Sequence, residues 1–449
     1  MPFVLRCLCI LLVLALGACA PIAVAPPAAD ATRPPIVFVH GTGDTAALWI
    51  TTLWRFESNG YDRSLLHTVD FRYPLARSDD AKPQPLRSST AEAMQELAAK
   101  VDEVRRLTGR DKVVLVGNSR GANAIRNYVR NGGGAARVSH VILGGGVNHG
   151  VFDWEETRGS EFNRKGAFLT QLNAGPLEVV DGVRFMTIRS DSNDKYAQPD
   201  GAFLGKPGRP TGVGFDGPEL KGAENVVIQA IDHREAAFDP SAFAEMYRFI
   251  TGQPPAQLAI ASEQRPVLNG KVSGVEGGVP TNLPVAGATV EVYEVSRDTG
   301  ARIGRAAHTR RTGPDGLWGP FEAQLDTAYE FVITAPGHAI THIYRSPFPR
   351  SSSVVHLRPA DLAKADAGAG SVITMSRPRG YFGHGRDVFT LDGKVPAGIN
   401  TGVPGTSTGK LVLPPGALRA VPARFNDESI TAQNWPAGEG HVVIAEFHY

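Results

Sequence analysis

A serine hydroxyl is a weak nucleophile at neutral pH. It becomes a catalyst where a base takes its proton and amide donors hold the oxyanion that its attack creates. The run Gly117-Asn118-Ser119-Arg120-Gly121 has the G-x-S-x-G pattern that presents such a serine. Its two glycines have no Cβ to obstruct a sharp strand-to-helix bend, so Ser119 Oγ is expected to stand exposed at a helix N-terminus. An apolar run from Val113 to Val116 precedes it, and a helical stretch from Ala122 to Arg130 follows. A capping serine at a plain turn is the structural alternative.

The base must come from elsewhere in the chain, and His233 is the candidate. It follows the apolar run Val226 to Ala230 by a short loop, comes last in the order serine, acid, histidine, and precedes the final helix. The other histidines fit less well. His40 belongs to the loop after the first strand, His67 and His140 flank or enter core segments, and His149 sits between elements, where a structural role is favoured. An acid is needed to orient the imidazole and stabilise its charged form. The run ending at Ile188 delivers both Asp191 and Asp194, which periodicity does not separate. Asp153 is a more distant option, beside the apolar Phe152 and Trp154, and Asp232, next to His233, is expected to point elsewhere. Two backbone N–H groups complete the set: that of Arg120, after the nucleophile, and that of Thr42, in the loop His40-Gly41-Thr42-Gly43. No His and carboxylate spacing reads as a metal site, and no cofactor is implied.

The elements that would position these residues alternate between strand and helix. Ile36 to Val39, Val113 to Val116, Val138 to Leu143, Val183 to Ile188 and Val226 to Ala230 are short apolar runs suited to a buried parallel sheet. Ser89 and Glu92 form a capping box ahead of Met94, Leu97, Val101 and Val104, and Gly109 ends that amphipathic helix. Ser241 to Ile250 makes the last one. The pattern predicts an α/β fold with a mostly parallel sheet and helices on both faces, and sites at the C-terminal ends of its strands.

The length of 449 residues calls for two or three domains, and 42% apolar with 20% charged residues excludes a wholly disordered chain or a coiled coil. With 46 basic against 45 acidic residues the net charge of +1 offers no global field for nucleic acid, which is not an expected partner. Arg6, the apolar run Cys7 to Leu16 and the small residues after it read as an export signal over residues 1–18. Leu16-Gly17-Ala18-Cys19 resembles a bacterial lipobox, which implies a lipidated Cys19, an Ala- and Pro-rich tether over residues 19–33 and an outer-membrane or cell-surface lipoprotein held to the membrane by its N-terminal lipid. Cleavage after Ala18 or Ala20, giving a free periplasmic or extracellular protein, is the alternative. Only Cys19 of the three cysteines would remain, so no disulfide framework is expected.

Residues 34–252 resemble an α/β-hydrolase of the bacterial and fungal lipase type, class 2 included. Val39-His40-Gly41-Thr42-Gly43-Asp44-Thr45 is similar to the lipase oxyanion loop, which implies that the backbone of Thr42, with its hydroxyl, binds the oxyanion. Gly144 to Gly150 resembles the loop leading into a mobile covering segment. Asp194-Lys195-Tyr196-Ala197-Gln198-Pro199 is similar to the acid loop of those lipases, where a proline lies five residues after the catalytic aspartate. The resemblance therefore favours Asp194 over Asp191. Asn118 and Arg120 depart from the usual neighbours of the nucleophile. Arg120 is expected to face solvent, with attraction of a substrate carboxylate or phosphate as the other reading.

Beyond Gln253-Pro254-Pro255 long helical periodicity stops. Ala288 to Val295 alternates at period two, and Gly313-Pro314-Asp315-Gly316 supplies a turn before Tyr329 to Thr334. These features predict an all-β region. Residues 256–360 resemble a transthyretin-like sandwich. Val372 to Met375, Leu411 to Leu413 and Val442 to Phe447 suggest a further β subdomain over 370–449, beyond the Ala-rich stretch Ala360 to Ala369. The combination resembles an archaeal lipase whose C-terminal β domain helps bind lipid. Tyr381 and Phe382 read as core or turn residues, or as exposed anchors for such a surface. The expectation is a secreted or membrane-anchored serine carboxylic-ester hydrolase acting on lipid-like esters through an acyl-enzyme; the sequence leaves its oligomeric state open. A polyester depolymerase or an amidase would use the same residues, and a binding lipoprotein with a vestigial hydrolase domain is the non-enzymatic rival. A chain ending near Gln253 is expected to keep short-ester hydrolysis.

Overall fold

The computed structural model describes residue 30 and residues 32–449. The export signal, Cys19 and most of the tether lie outside the described residues. Six parallel strands form the first sheet, in the order Leu66–Val69, Ile36–Val39, Val113–Asn118, Val138–Gly144, Arg184–Ser190 and Glu224–Ile228. The five apolar runs are all here. Leu66–Val69, an edge strand buried only at its last residue, escapes the apolar-run criterion for that reason.

Helices cover both faces, as a parallel sheet requires. One face packs on Ile50–Ser58 and Pro240–Thr251, through Phe56, Phe243 and Met246. The other packs on Thr90–Thr108 and Arg120–Asn131, through Leu97, Val101, Ile125 and Tyr128. The capping box at Ser89 and Glu92 forms with both reciprocal bonds, and Gly109 closes the helix at φ 66°.

The β region departs from the expected pair of units. Seven strands form one mixed sheet, in the order His308–Arg311, Thr289–Val295, Ala328–Thr334, Ile340–Arg345, His441–Glu446, Ser371–Ser376 and Thr408–Leu413. The last strand of the chain pairs in parallel with Ile340–Arg345 on one side and with Ser371–Ser376 on the other. The boundary drawn at 360–370 is therefore bridged by continuous main-chain hydrogen bonding. Local periodicity carries no information on strand pairing across a hundred residues, so the separation rested on a loop's composition alone.

The two halves share an interior. Ala46, Ile50 and Trp54 join Leu268, Trp318, Phe331 and Phe348 in one apolar cluster. Trp54 Nε1 donates to Ser351 O at 2.9 Å, Arg350 Nε lies 3.1 Å from Glu57 Oε2, and His356 Nε2 lies 2.8 Å from Asp70 Oδ2. His356 and Lys271 hold the buried Asp70 carboxyl well below the ordinary range, against its desolvation.

Candidate active site

The sharp strand-to-helix turn at Ser119 is enforced by close packing. Ser119 has φ 55° and ψ −122°, a conformation disfavoured for any residue with a Cβ. A Cβ on Gly121 would lie 2.5 Å from Val39 O, and one on Gly117 would lie 2.6 Å from Ile125 Cδ1. The strand, the turn and the helix meet this tightly only because both positions are glycine. Gly41 does the same for the oxyanion loop, where a Cβ would come within 2.8 Å of Ser119 Cβ.

His233 and Ser119 line the same cavity, of about 210 Å³, together with Gly41, Thr42 and Asn118. His233 Nδ1 donates to Asp194 Oδ2 at 2.8 Å, and Asp194 Oδ1 accepts from Tyr196 N at 2.8 Å. The pair is almost fully buried. With Nδ1 so engaged, the neutral ring keeps a bare Nε2, and that atom is buried without a hydrogen-bond partner. Tyr196 stands edge-on to the imidazole, with ring centroids 4.7 Å apart.

The competing carboxylates are committed elsewhere. Asp191 Oδ1 accepts from Ser190 Oγ, Ser192 N and Ala230 N, which makes it a turn residue. Asp153 pairs with Lys165 at 2.6 Å. Asp232 is fully buried and does point away from His233, taking bonds from Arg234 N, Glu235 N and Tyr381 N. His149 is held by Glu178 at 3.0 Å and by Gly217 O, in a structural position.

Thr42 lines the cavity, and its Oγ1 is buried without a partner. The solvent-facing expectation for Arg120 is overturned. Its side chain is 2% exposed and reaches away to Glu161, through Nε at 2.9 Å and Nη2 at 3.0 Å, and to Ser88 O at 2.8 Å. A buried bidentate partner outcompetes water here because Glu161 belongs to the covering segment, which the sequence pattern could not place. That segment contributes Val147, Val151, Phe152 and Phe162 to the cavity wall.

Several residues contribute in ways the sequence pattern did not show. Asn118 Nδ2 donates to Gly144 O at 2.9 Å and to His233 O at 3.1 Å, so this unusual neighbour of the nucleophile steadies the base. His40 donates from Nδ1 to Gly41 O and accepts from Phe71 N at Nε2, and burial pushes its pKa down. It is a neutral brace for the oxyanion loop. Tyr381 is 4% exposed and lines the cavity, whereas Phe382 is wholly buried, so neither is a surface anchor. Arg377 and Arg386, also from the β region, form ion pairs with Glu235 at 2.5 and 2.6 Å. The glycines around Tyr381 and Phe382 were the only sequence signal at that loop.

Residues 33–163 match the family model Lipase (class 2), and residues 265–362 match that of the Lipase C-terminal domain. Over residues 33–163 the first domain is similar to class 2 lipases. Among curated proteins no match was found. Similar solved structures include Aspergillus fumigatus lipase B, 12% identical with a TM-score of 0.37, over 52% of this chain and 56% of that one. This chain thus spans little more than half of that lipase. A Bacillus licheniformis lipase in its propeptide form is 14% identical with a TM-score of 0.38, over 92% of this chain and 94% of that one. Its mature form is 21% identical with a TM-score of 0.34, over 47% and 89%. The lipase-type domain ends well before Tyr381, which also lies outside the matched C-terminal segment. Its cavity wall is therefore completed by a part of the chain that neither family model covers.

Proposed function

We propose that the protein is an exported serine esterase that cleaves lipid-like carboxylic esters through an acyl-enzyme. The observation that carries this reading is the buried, unpartnered Nε2 of His233 on the wall it shares with Ser119, with Nδ1 fixed by Asp194. In this mechanism Nε2 takes the proton of Ser119 Oγ as the oxygen attacks the ester carbonyl. Asp194 holds the tautomer and stabilises the imidazolium without taking its proton. The backbone N–H groups of Thr42 and Arg120 receive the oxyanion, His233 returns the proton to the departing alcohol, and water then cleaves the acyl-serine by the reverse sequence.

The cavity wall supports an apolar acyl group, since Val147, Val151, Phe152, Phe162 and Leu204 surround the nucleophile. Export and a lipid on Cys19 are part of the same proposal and rest on the first twenty residues. A vestigial scaffold would have no use for an orphaned imidazole nitrogen beside a strained serine. The decisive experiment is a panel of p-nitrophenyl esters of rising chain length, run with labelling by a p-nitrophenyl phosphonate. Turnover together with stoichiometric phosphonylation of Ser119 is expected. Turnover that persists with Ser119 unlabelled removes the proposal.

A further inference from the structure

Beside the catalytic cavity lies a larger cleft of about 620 Å³, between residues 43–48 of the hydrolase domain and the seven-stranded sheet. Asp44 and Arg234 line both spaces, and their ion pair, at 3.3 Å, stands between them. Arg234 follows the catalytic histidine directly, and Asp44 closes the oxyanion loop. The partition is therefore made of the two loops that carry the chemistry.

The catalytic cavity is smaller than the roughly 300–1,000 Å³ typical of ligand pockets, and the cleft falls inside that range. Leu48, Leu357, Val372 and Ile444 give it apolar walls. Its charges are mostly neutralised in place. Lys410 pairs with Asp366 at 2.8 Å, and Glu446 pairs with Arg345. Two arginines of the lining have no carboxylate ion-pair partner among the described residues. Arg379 is bonded instead to His448 O and Phe447 O. Arg358 donates from Nη2 to Thr281 O and Asn282 Oδ1, and its Nε has no partner. Burial pushes its pKa down, the mark of a cation held without full compensation. An apolar trough walled by these guanidiniums, one of which keeps an unpartnered N–H, is complementary to a chain that ends in an anion.

We propose that this cleft is a second binding site, for a single-chain anionic amphiphile of the long-chain carboxylate class, with the chain along the sheet face and the head at Arg358. The ligand class follows from the ester-hydrolase reading, because such a carboxylate is the product that hydrolysis releases. The Asp44–Arg234 pair then separates the reacting ester from the bound product.

The test uses the full chain carrying Ser119→Ala, so that binding is measured without turnover and a failure here is distinct from a failure of the hydrolase reading. Dodecanoate is titrated calorimetrically, with dodecanol as the uncharged control. Dodecanoate is expected to bind at least tenfold more tightly than dodecanol. Arg358→Gln, added to that background, should weaken it about tenfold. Thr374→Trp, which fills the cleft from the sheet side, should abolish binding with the thermal midpoint retained, while Val151→Trp, which fills the catalytic cavity, should leave it. Equal binding of alcohol and carboxylate, or loss with Val151→Trp and retention with Thr374→Trp, overturns the proposal.

Discussion

Arg377 Nη1 lies 3.2 Å from Asp232 Oδ2, across 145 positions of sequence, and Asp232 immediately precedes His233. Both side chains are almost wholly buried. The same guanidinium holds Glu235 and, through Tyr381 O at 2.6 Å, the loop that walls the cavity. Asp232 Oδ2 in turn accepts from Tyr381 N at 2.8 Å. The β region thus grips the histidine loop from outside the hydrolase domain. Arg377→Ala leaves the buried Asp232 and Glu235 with Arg386 as their remaining ion-pair partner, a type of loss that costs about 3–5 kcal/mol. The expected result is a lowered thermal midpoint and a fall in kcat larger than the change in KM, with Arg377→Lys recovering part of both. An unchanged kcat in Arg377→Ala would show that the grip is irrelevant to the base.

Ser119→Ala should reduce kcat by roughly 10⁵–10⁶, and Asp194→Asn by roughly 10⁴, as removal of a nucleophile or of its orienting acid does elsewhere. Asp191→Asn should stay within about tenfold of the parent, since Asp191 serves a turn. Steady-state kinetics on p-nitrophenyl butyrate decides this. A larger loss at Asp191 than at Asp194 would mean that Asp194 is not the working partner of His233.

Gly41→Ala places a methyl group 2.8 Å from Ser119 Cβ. The loop must retreat and take the Thr42 N–H with it. A fall in kcat of about 10²–10³ is expected, comparable to losing one oxyanion donor, with the thermal midpoint little changed. Wild-type turnover in this variant would place the oxyanion site elsewhere.

Tyr381→Ala opens the cavity wall opposite the covering segment. Its ring lies under Lys195 Nζ at 4.0 Å and Arg234 at 5.2 Å. The chain-length optimum on p-nitrophenyl esters should shift, with Tyr381→Phe close to the parent. A chain ending near Gln253 should lose short-ester and long-ester activity together, because it lacks this wall, Arg377 and the shared apolar cluster. Short-ester activity surviving that truncation would restore the independent hydrolase domain that the composition break at Pro254 suggests.

Burial and the neighbouring Asp232 push the Glu235 carboxyl up to about 7. The folded state therefore holds this proton more tightly than the unfolded chain, whose carboxyl titrates in the ordinary range. The stability it contributes is full below that range and falls as pH rises through about 7. Thermal midpoints measured from pH 4 to pH 8 should show this decline, and Glu235→Gln should flatten it. An identical pH slope in the two proteins would assign the dependence to another group.

The local geometry of the first domain's candidate site was legible because it is written in short stretches of sequence. Ser119 between Gly117 and Gly121, the loop at Thr42 and the capping box at Ser89 each depend on a few adjacent residues whose backbone requirements are strict. His233 could be placed by its order after the last strand. Asp191 and Asp194, three residues apart, could not be separated by periodicity, because the choice depends on which one the chain's path brings against an imidazole 39 residues away. Arg120, Tyr381 and Arg377 were decided by tertiary structure alone. Each is a long side chain whose partner sits tens to hundreds of residues distant, and burial in a low-dielectric interior makes that partner energetically decisive. The central placement of His441–Glu446 is of the same kind, since strand pairing follows from complementary edges meeting in space.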